Sequence, residues 1–480
     1  MITVASITRE GQMAHKKRAM AVTASVSAMA LALSACGSSS KSASSSATTA
    51  ASGSGATTAT TAGSTLTGAC APYSQYAGHK GTVTMFGSIL APESTSLETS
   101  WSQFEQCTGI TIQYTGSNSF ESQLPVEVQG GSPPDLAIIP QPGLLAEMVN
   151  SGAVKKPPAQ TVANEANWPA IWKTLATVNG TFYAAPESAN MKTMVWYSPK
   201  EFAANGWTVP TTWAGLMTLS AQIAASGKMK PWCGGISSGT ATGWPSADWL
   251  SQVVLGDFGG TVFDNWVAGK VTFSSPQIQA AMTILKNWMQ NPAWVNGGFG
   301  GVSSIATTTF QDAGLPILKG QCAMLQQASF YEAQLPTGTT VGSAPTDQAM
   351  AFYLPPVNPS ITSPVMGGGE FTTAFSSAPA VQMVQNYLSS PQWAESRIKV
   401  APGWVSANTK VPTSLYTDPI DQLSAKYLSD PNATFRFSAD DSMPASVENT
   451  WWKASTEWFA GSQNQVQTAA QIDAAFKSAG

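Results

Sequence analysis

The chain has 480 residues, a length above which one hydrophobic core usually stops growing, so we expect two domains or lobes. Only 10% of the residues are charged and the formal net charge is −4, which leaves no basic surface for nucleic acid. The only histidines are His15 and His79, and no two cysteines have Cys-x-x-Cys spacing, which argues against a Ser-His-Asp or Cys-His centre and against a His-rich metal site. We expect no metal and no cofactor.

Residues 1–35 have the features of a secretory signal peptide. A basic run at 15–18 precedes an apolar and small-residue stretch at 19–33 that is too short to span a bilayer. The next residues, Leu33-Ser34-Ala35-Cys36, resemble the bacterial lipobox, in which the cysteine receives a lipid such as palmitate. We expect an extracytoplasmic protein anchored to the membrane only through Cys36. The alternative to a lipobox is an ordinary signal peptide with a free cysteine. The position of the translation start, Met1 or Met13, is a separate open point.

Residues 36–69 are predicted to form a disordered tether. Between 37 and 68 the chain is almost wholly Ser, Ala, Thr and Gly, and Leu66 is the only large apolar side chain. Such a segment buries too little apolar area to offset the entropy lost on ordering.

The four remaining cysteines are expected to form disulfides, because they lie in an oxidising compartment. Sequence alone permits three pairings. We favour Cys70 with Cys107 and Cys233 with Cys322, since each pair then joins segments that we place in one lobe.

The body of the chain begins with alternating strands and helices. We predict strands at 81–87, 109–114 and 134–139 and helices at 96–107 and 120–129. This alternation is typical of a mostly parallel sheet with helices on both faces. Ligands of such sheets bind beyond the carboxyl ends of the strands, which places Ser88 and Gln141 on the crevice side, while Asp135 starts its strand.

Further elements follow in the second half of the body. Asn179-Gly180 predicts the turn of a hairpin over 178–183, and Thr212 is expected to cap a helix. The other expected elements are a largely helical region at 246–290 interrupted at 259–260 and by a strand-like 270–273, strands at 319–325, 351–356 and 367–375, and helices at 380–388 and 447–459.

Residues 232–249 combine three tryptophans with glycines, hydroxyl residues and a carboxylate. Aromatic faces beside polar groups suit a sugar, which is flat on one side and hydroxylated at its edges. In the alternative interpretation Trp232 and Trp249 belong to the core. A disulfide at Cys233 favours a structural Trp232, and Trp249 is expected to begin a helix. The predicted ligand contact therefore narrows to the loop 237–245, with Trp244 as its main residue.

Two sets of short motifs are spread along residues 81–460. The first set is 130–135 (GGSPPD), 180–186 (GTFYAAP), 196–199 (WYSP), 210–213 (PTTW) and 319–324 (KGQCAM). Their order resembles family 1 of the extracellular sugar-binding proteins of ABC importers, which contains maltose-binding protein. The second set resembles the alpha-glucoside-binding branch of that family: 231–234 (PWCG), 241–245 (ATGWP), 352–356 (FYLPP), 367–370 (GGGE) and 434–437 (TFRF).

The resemblance implies an α/β, two-lobe periplasmic-binding-protein-like fold with a ligand cleft between the lobes and several hinge crossings. Lobe 1 would hold residues 70–186 and 323–368, and lobe 2 residues 187–322 and 369–480. The lobes would close over a sugar, and an ABC permease would recognise the closed form. The resemblance to the branch implies that this sugar is an alpha-glucoside or an oligosaccharide. Such proteins are carriers without catalytic activity, and we expect a monomer.

The candidate ligand-binding residues are aromatic or polar. Trp244 and Trp404 lie in glycine-containing loops, and Glu370 follows Gly368 and Gly369, which allow close approach of a ligand. The other candidates, each with a structural alternative in the core, a turn or a helix cap, are Trp196, Tyr197, Gln141, Gln327, Asp135, Asp248 and Arg436.

Two other classes of protein compete with a carrier. A tethered glycoside hydrolase would use a carboxyl pair about 5 Å apart for retention or roughly 6.5–9.5 Å apart for inversion. Its two carboxyls would come from Glu93, Glu121, Asp135, Glu187, Asp248 and Glu370. A surface scaffold protein would have no deep cleft.

Overall fold

A computed structural model describes residues 66–298 and 301–479. The predicted signal peptide, Cys36 and most of the predicted tether lie outside these residues. Among the described helices, none has both the length and the apolar character to cross a bilayer.

The described chain contains both helices and strands. The helices are α1 Glu93–Thr108, α2 Phe120–Gln129, α3 Pro142–Asn150, α4 Ala159–Asn164, α5 Ala170–Leu175, α6 Pro199–Asn205, α7 Trp213–Ser226, α8 Trp244–Val267, α9 Pro276–Met289, α10 Pro379–Leu388, α11 Pro391–Ile398, α12 Pro419–Leu428, α13 Ala445–Phe459 and α14 Gln465–Ala479. The strands are β1 Gly81–Gly87, β2 Ile110–Gly116, β3 Leu136–Ile139, β4 Thr177–Val178, β5 Thr181–Phe182, β6 Ala185–Pro186, β7 Asn190–Met191, β8 Met194–Tyr197, β9 Lys230–Cys233, β10 Val295–Asn296, β11 Cys322–Gln326, β12 Met350–Tyr353, β13 Pro364–Gly368, β14 Phe371–Ala374 and β15 Thr434–Phe437.

The first sheet has the strand order β2-β1-β3-β14-β6. Strands β1, β2 and β3 are parallel, and β14 runs antiparallel to β3 and β6. Alternate side chains of β3 point to opposite faces, so Ile138 joins one core while Ala137 and Ile139 join another. Helix α1 covers the first of these cores with a stripe that includes Leu97 and Trp101. The predicted alternation of strands and helices over 81–139 is confirmed.

The second sheet has the strand order β10-β9-β11-β8-β12. Strands β10, β9 and β11 are parallel, whereas β8 and β12 are antiparallel to their neighbours. Trp232 of β9 is fully buried against Trp288 of α9, with ring centroids 5.1 Å apart, and its indole N–H donates to Ser220. Trp232 is therefore a core residue, as the structural interpretation of this stretch proposed.

A third, small sheet lies on the chain segments that pass between the two larger sheets. Its order is β15-β13-β7. Strand β7 lies between β6 of the first sheet and β8 of the second, and β13 lies between β12 of the second sheet and β14 of the first. The two sheets are thus connected by more than one crossing.

The later strands join the opposite sheets from those expected. Strand β12 and all of β11 except Cys322 fall within 323–368, which we assigned to lobe 1, but both strands pair with β8 of the second sheet. Strand β14 falls within 369–480, which we assigned to lobe 2, but it pairs with β3 of the first sheet. The predicted lobe membership is wrong for these strands. Their partners are more than a hundred residues away in the chain, and hydrophobic periodicity does not specify such partners.

Two expected strands also differ in form. The expected strand 367–375 is divided into the end of β13 and β14, which lie in different sheets, with Gly369 and Glu370 between them. Residues 270–273 form no strand, because the amide of Phe273 donates to the carboxylate of Asp473 (2.6 Å) and not to a neighbouring strand.

Both expected disulfides are present. Cys70–Cys107 joins the 3₁₀ helix Gly68–Tyr76 to α1, with the two Cα atoms 5.2 Å apart. Cys233–Cys322 joins the adjacent strands β9 and β11. They close loops of 37 and 89 residues, for which chain entropy predicts a stabilisation of about 4 and about 4.5 kcal/mol, respectively.

Candidate ligand-binding cleft

A cavity of about 130 Å³ lies between the ends of the two large sheets. From the first sheet come Ser88, which follows β1, Gln141, which follows β3, and the Gly369-Glu370 turn before β14. These positions lie at the carboxyl ends of parallel strands or beside them, where open α/β sheets bind ligands. Side chains from the β7–β8 crossing, α8, the 310–334 region and α13 form the opposite side.

Three aromatic rings form one wall of this cavity. The ring of Trp244, the first residue of α8, lies 5.1 Å from that of Phe310 and 6.0 Å from that of Phe330. Helix α8 begins here because Gly243 adopts φ 118°, and a Cβ at that position would lie 2.2 Å from the carbonyl oxygen of Trp452. The turn therefore requires glycine, and it places the half-buried Trp244 in the cavity.

Lys192 provides a buried positive charge beside the aromatic wall. Its Nζ lies 2.9 Å from Asp248, 3.3 Å from Asp441 and 5.4 Å from the centroid of the Trp244 ring. Burial opposes the charge, but the neighbouring carboxylates outweigh it and raise the pKa of Lys192. Burial raises the pKa of Asp248 to about 6, although Lys192 and a hydrogen bond from Ser438 (2.6 Å) favour its ionised form. Lys192 is therefore positively charged at neutral pH.

The Gly369-Glu370 turn forms part of the opposite wall. A Cβ on Gly369 would lie 2.2 Å from the carbonyl oxygen of Ser188, so only glycine permits this close approach. The hydroxyl of Ser188 donates to the Glu370 carboxyl, and the amide of Glu370 donates to the hydroxyl oxygen of Ser188 (3.2 Å). Both contacts hold the Glu370 side chain in one orientation at the cavity.

Glu370 belongs to a cluster of three carboxyl groups that face one guanidinium. Glu93, Glu187 and Glu370 interact electrostatically with the buried Arg397. Burial raises the pKa of Glu93 to about 6, and burial together with the charge of Glu187 raises that of Glu370 well above its ordinary value. A single arginine cannot balance three carboxylates, so the cluster retains protons near neutral pH. A protonated Glu370 can donate a hydrogen bond to a ligand as well as accept one.

The loop 237–245, which precedes and includes Trp244, contacts residues on the first-sheet side of the cavity at one edge. The amide of Thr240 donates to the carbonyl of Asn118 (2.9 Å), and its hydroxyl lies 3.2 Å from the carboxylate of Glu121. Glu121 also accepts a hydrogen bond from the side-chain nitrogen Nε2 of Gln141 (3.3 Å). The oxygen Oε1 of Gln141 is buried without a hydrogen-bond partner in the described residues, and Gln141 lines the cavity. This oxygen is available to accept a hydrogen bond from a ligand.

Four of the predicted ligand-binding residues line the cavity, namely Trp244, Gln141, Gly369 and Glu370. Three of the predicted aromatic residues lie in the cores. Trp404 packs against Trp393 and beside Arg397, and the indole N–H of Trp196 donates to the carbonyls of Gln327 and Ala328. Tyr197 packs on aromatic neighbours in the core of the second sheet.

The remaining predicted residues do not line the cavity, and each contacts other residues of the protein. Asp135 accepts hydrogen bonds from the amide and hydroxyl of Thr84, both 3.0 Å, at the start of β3. Gln327 accepts from the amide of Ala328 (2.8 Å), and Arg436 forms an ion pair with Asp264. Asp248 and Gly368 lie behind the cavity and contact Lys192, which reaches it; a Cβ on Gly368 would lie 2.5 Å from Cε of that lysine.

Several residues that line the cavity were not predicted from the sequence to bind a ligand. They are Asn190, Lys192, Phe310, Gln311, Phe330, Gln334, Asp441 and Trp452. A signal existed for Lys192, because it is the only charged residue between 188 and 199. An isolated charge within an apolar segment requires a buried partner or a functional role. Phe310 and Phe330 have no such signal, since they approach Trp244 only through the fold.

A family model of bacterial extracellular solute-binding proteins matches residues 90–378. The chain belongs to this family. Among its relatives, the solute-binding protein is 32% identical over 388 residues to the osmoprotective compounds-binding protein GgtB of Synechocystis sp., covering 79% of this chain and 89% of GgtB. It is 30% identical over 411 residues to the alpha-glucosides-binding periplasmic protein AglE of Rhizobium meliloti, covering 83% of this chain and 87% of AglE.

The fold of the solute-binding protein agrees with solved structures. The bacterial solute receptor AcbH has a TM-score of 0.71 at 17% identity, over 83% of this chain and 99% of that receptor. The maltose-bound MalE3 of T. maritima has a TM-score of 0.64 at 18% identity, over 83% and 99% of the two chains. The predicted family and the two-lobe α/β fold are confirmed.

Proposed function

We propose that this solute-binding protein captures a sugar, an alpha-glucoside or an oligosaccharide, in the cleft and delivers it to the permease of an ABC importer. The observation that carries the proposal is the chemistry of the two walls. The rings of Trp244, Phe310 and Phe330 offer an apolar surface, while Gln141 and Glu370 lie among the polar groups of the cavity. A pyranose needs both, because its ring faces are apolar and its hydroxyls require hydrogen-bond partners once they are buried.

The relatives support the same class of ligand. AglE is described as a binder of alpha-glucosides, and GgtB as a binder of osmoprotective compounds. The two alignments cover 79% and 83% of this chain. An alpha-glucoside is therefore the first ligand class to test.

We propose that the protein acts as a carrier and not as a glycoside hydrolase. The cavity does contain carboxyl groups, but Glu370 is engaged by Ser188 and faces Arg397 together with Glu93 and Glu187. Glu121 is engaged by Gln141 and Thr240. These partners hold the carboxyls within hydrogen-bond networks, which suits recognition of hydroxyl groups.

The proposed experiment measures binding and product formation together. The purified chain is mixed with trehalose, maltose, sucrose and longer maltosaccharides; its melting temperature is recorded, and the sugars are then analysed by chromatography. We expect one ligand to raise the melting temperature by several degrees and to be recovered intact. Shortened sugars would establish a hydrolase, and a panel without any shift or product would contradict the sugar assignment.

We further propose that Cys36 carries a lipid that anchors the protein outside the cytoplasm and that the protein acts as a monomer. The motif 33–36 and the Ser/Ala/Thr/Gly-rich segment after it support an anchor with a flexible tether. Mass spectrometry of the mature N-terminus tests this. We expect an acylated Cys36, and an unmodified N-terminus at another residue would contradict it.

A further inference from the structure

A second group of acidic residues lies outside the sugar cleft. Glu332 is on the 3₁₀ helix Ser329–Gln334, while Asp418 and Asp421 are at the start of α12. One carboxylate oxygen of each lies within 4.8 Å of the others. None of the three lines the sugar cavity, but Phe330 and Gln334 of the same 3₁₀ helix do.

Two buried oxygens of this cluster lack partners in the described part of the chain, although Glu332 also shares a side-chain hydrogen bond with Asp418. Glu332 is 7% exposed and Asp421 2%, and Oε2 of Glu332 and Oδ1 of Asp421 have no hydrogen-bond partner among the described residues. Asp418 is only partly engaged, since its Oδ1 accepts from the amide of Ile420 (2.7 Å). A buried carboxylate oxygen without a hydrogen-bond partner destabilises the folded state, so such an atom needs a ligand or a proton.

Among the described residues, no ion pair balances the three charges. The ion pairs found there involve Lys192 and Arg436, and neither contacts this cluster. Lys426 of α12 lies over the ring of Tyr427 at 5.2 Å. The cluster therefore carries a formal charge of −3 when it is ionised, and no lysine or arginine of residues 66–298 and 301–479 forms an ion pair with it.

The surrounding backbone holds the three carboxyls together. Gly403 has φ 74°, and a Cβ there would lie 2.3 Å from the carbonyl oxygen of Ser329 and 3.0 Å from Cβ of Glu332. The amide of Gly403 also donates to the Asp421 carboxyl. The 3₁₀ helix, the loop at 403 and the start of α12 thus converge tightly, and the carboxyls cannot separate without disturbing this contact.

We propose that Glu332, Asp418 and Asp421 bind one Ca²⁺ ion. Ca²⁺ takes about six to eight oxygen ligands, several of them carboxylates, and tolerates irregular geometry, whereas Mg²⁺ demands a near-ideal octahedron. Water molecules complete the coordination. The ion would hold the helix that bears Phe330 and Gln334 against α12.

The test compares the chain with variants of this cluster. The purified full chain is stripped with EDTA and dialysed, and its melting temperature is measured without metal, with about 5 mM CaCl₂ and with about 5 mM MgCl₂, while calorimetry gives the dissociation constant. We expect Ca²⁺ to raise the melting temperature by about 2–4 °C and to bind with a constant on the order of 0.1–1 mM, with a smaller effect of Mg²⁺.

Glu332→Gln and Asp421→Asn should abolish the Ca²⁺ shift, whereas Glu98→Gln, which removes an exposed carboxylate on α1, should retain it. Because Glu332→Gln removes like-charge repulsion, we expect it to melt no lower than the wild type in EDTA. The other acidic group, Asp440, Asp441 and Glu448, provides a second control, and Glu448→Gln should retain the shift.

Three outcomes would overturn the proposal. A wild-type chain that gains no stability from Ca²⁺ but gains it on acidification would show that protons occupy the cluster. An unchanged Ca²⁺ shift in Glu332→Gln and Asp421→Asn would place the ion elsewhere. A shift lost only in Glu448→Gln would place it in the second acidic group.

Discussion

Two tryptophans of this protein have similar local surroundings and different positions. Trp244 and Trp404 each follow a glycine with positive φ, Gly243 at 118° and Gly403 at 74°. Each ring also has a cation near its face, Lys192 at 5.4 Å and Arg397 at 5.8 Å. Yet Trp244 lines the cleft, while Trp404 is 3% exposed and packs within the core that covers one face of the first sheet.

The difference lies in what covers each ring. Trp244 meets Phe310 and Phe330 at ring edges and keeps a surface toward the cavity. Trp404 meets Trp393 of α11, at 5.7 Å between ring centroids, and lies beside Arg397 of the same helix. A glycine-tryptophan pair in a loop therefore indicates a sharp turn in the backbone. Whether the ring then faces a ligand or a core depends on elements that are distant in the sequence.

Replacing Trp404 by Ala should have the largest effect on stability. The change removes a fully packed ring from the first-sheet core, and we expect the free energy of unfolding to fall by about 3–5 kcal/mol. Urea denaturation measures this. Trp404→Phe is the control and should cost less, because the indole N–H of Trp404 has no partner to lose. A stable Trp404→Ala protein with weakened sugar binding would place this ring in the cleft instead.

Replacing Trp244 by Ala should act mainly on ligand binding. We expect sugar affinity to fall by more than tenfold, about 1.4 kcal/mol or more, because the aromatic wall loses its central ring. Isothermal titration calorimetry measures the affinity. Trp207→Ala is a matched control, since Trp207 is also half-buried against the core of the second sheet but does not line the cavity. Equal affinity of the two variants would refute the role of Trp244.

The cations beside the two rings lead to a prediction about pH. Arg397 faces Glu93, Glu187 and Glu370, and Tyr114 is also close to this cluster. Burial raises the pKa of Glu187 and of Glu93, the latter to about 6, so the folded state binds more protons than the unfolded state above pH 4.5 or so. Stability should therefore fall, by about 1 kcal/mol, as pH rises from about 5 to about 7.

Urea denaturation at several pH values checks this slope. Glu187→Gln should flatten it, because a neutral amide replaces a carboxyl that must otherwise lose its proton in a buried site. Glu98→Gln, on an exposed face of α1, should leave it unchanged. A slope that is the same in all three proteins would mean that Glu187 contributes nothing to it.

The loop of Trp244 also contacts the opposite wall of the cleft, and this contact leads to the smallest expected effect. Thr240→Val removes the hydroxyl that lies near Glu121 but leaves the backbone hydrogen bond to Asn118. We expect sugar affinity to fall about two- to fivefold, since a solvent-exposed hydrogen bond contributes roughly 0.5–1 kcal/mol. Calorimetry checks this. Thr218→Val, a substitution at an exposed threonine of α7, is the control, and an equal loss in it would exclude a specific role for Thr240.

Much of the local structure could be predicted from the sequence. The helix α2 at 120–129, the hairpin turn at Asn179-Gly180, the cap at Thr212 and the disulfides all occur as expected. Each depends on neighbouring residues or, for the cysteines, on a small number of possible pairs. The family was recognisable for a similar reason, because its short motifs keep their order along the chain.

Only the tertiary structure decided which residues meet at the cleft. The partners of β11, β12 and β14 are distant in sequence, so their sheets were assigned the wrong way round. The same long-range packing brings Lys192, Phe310 and Phe330 to Trp244 and buries Trp404 beneath α11. Sequence by itself determined the local turns, periodicities and cysteine chemistry of this protein. The faces of the cleft were decided by pairing and packing between segments that no local preference connects.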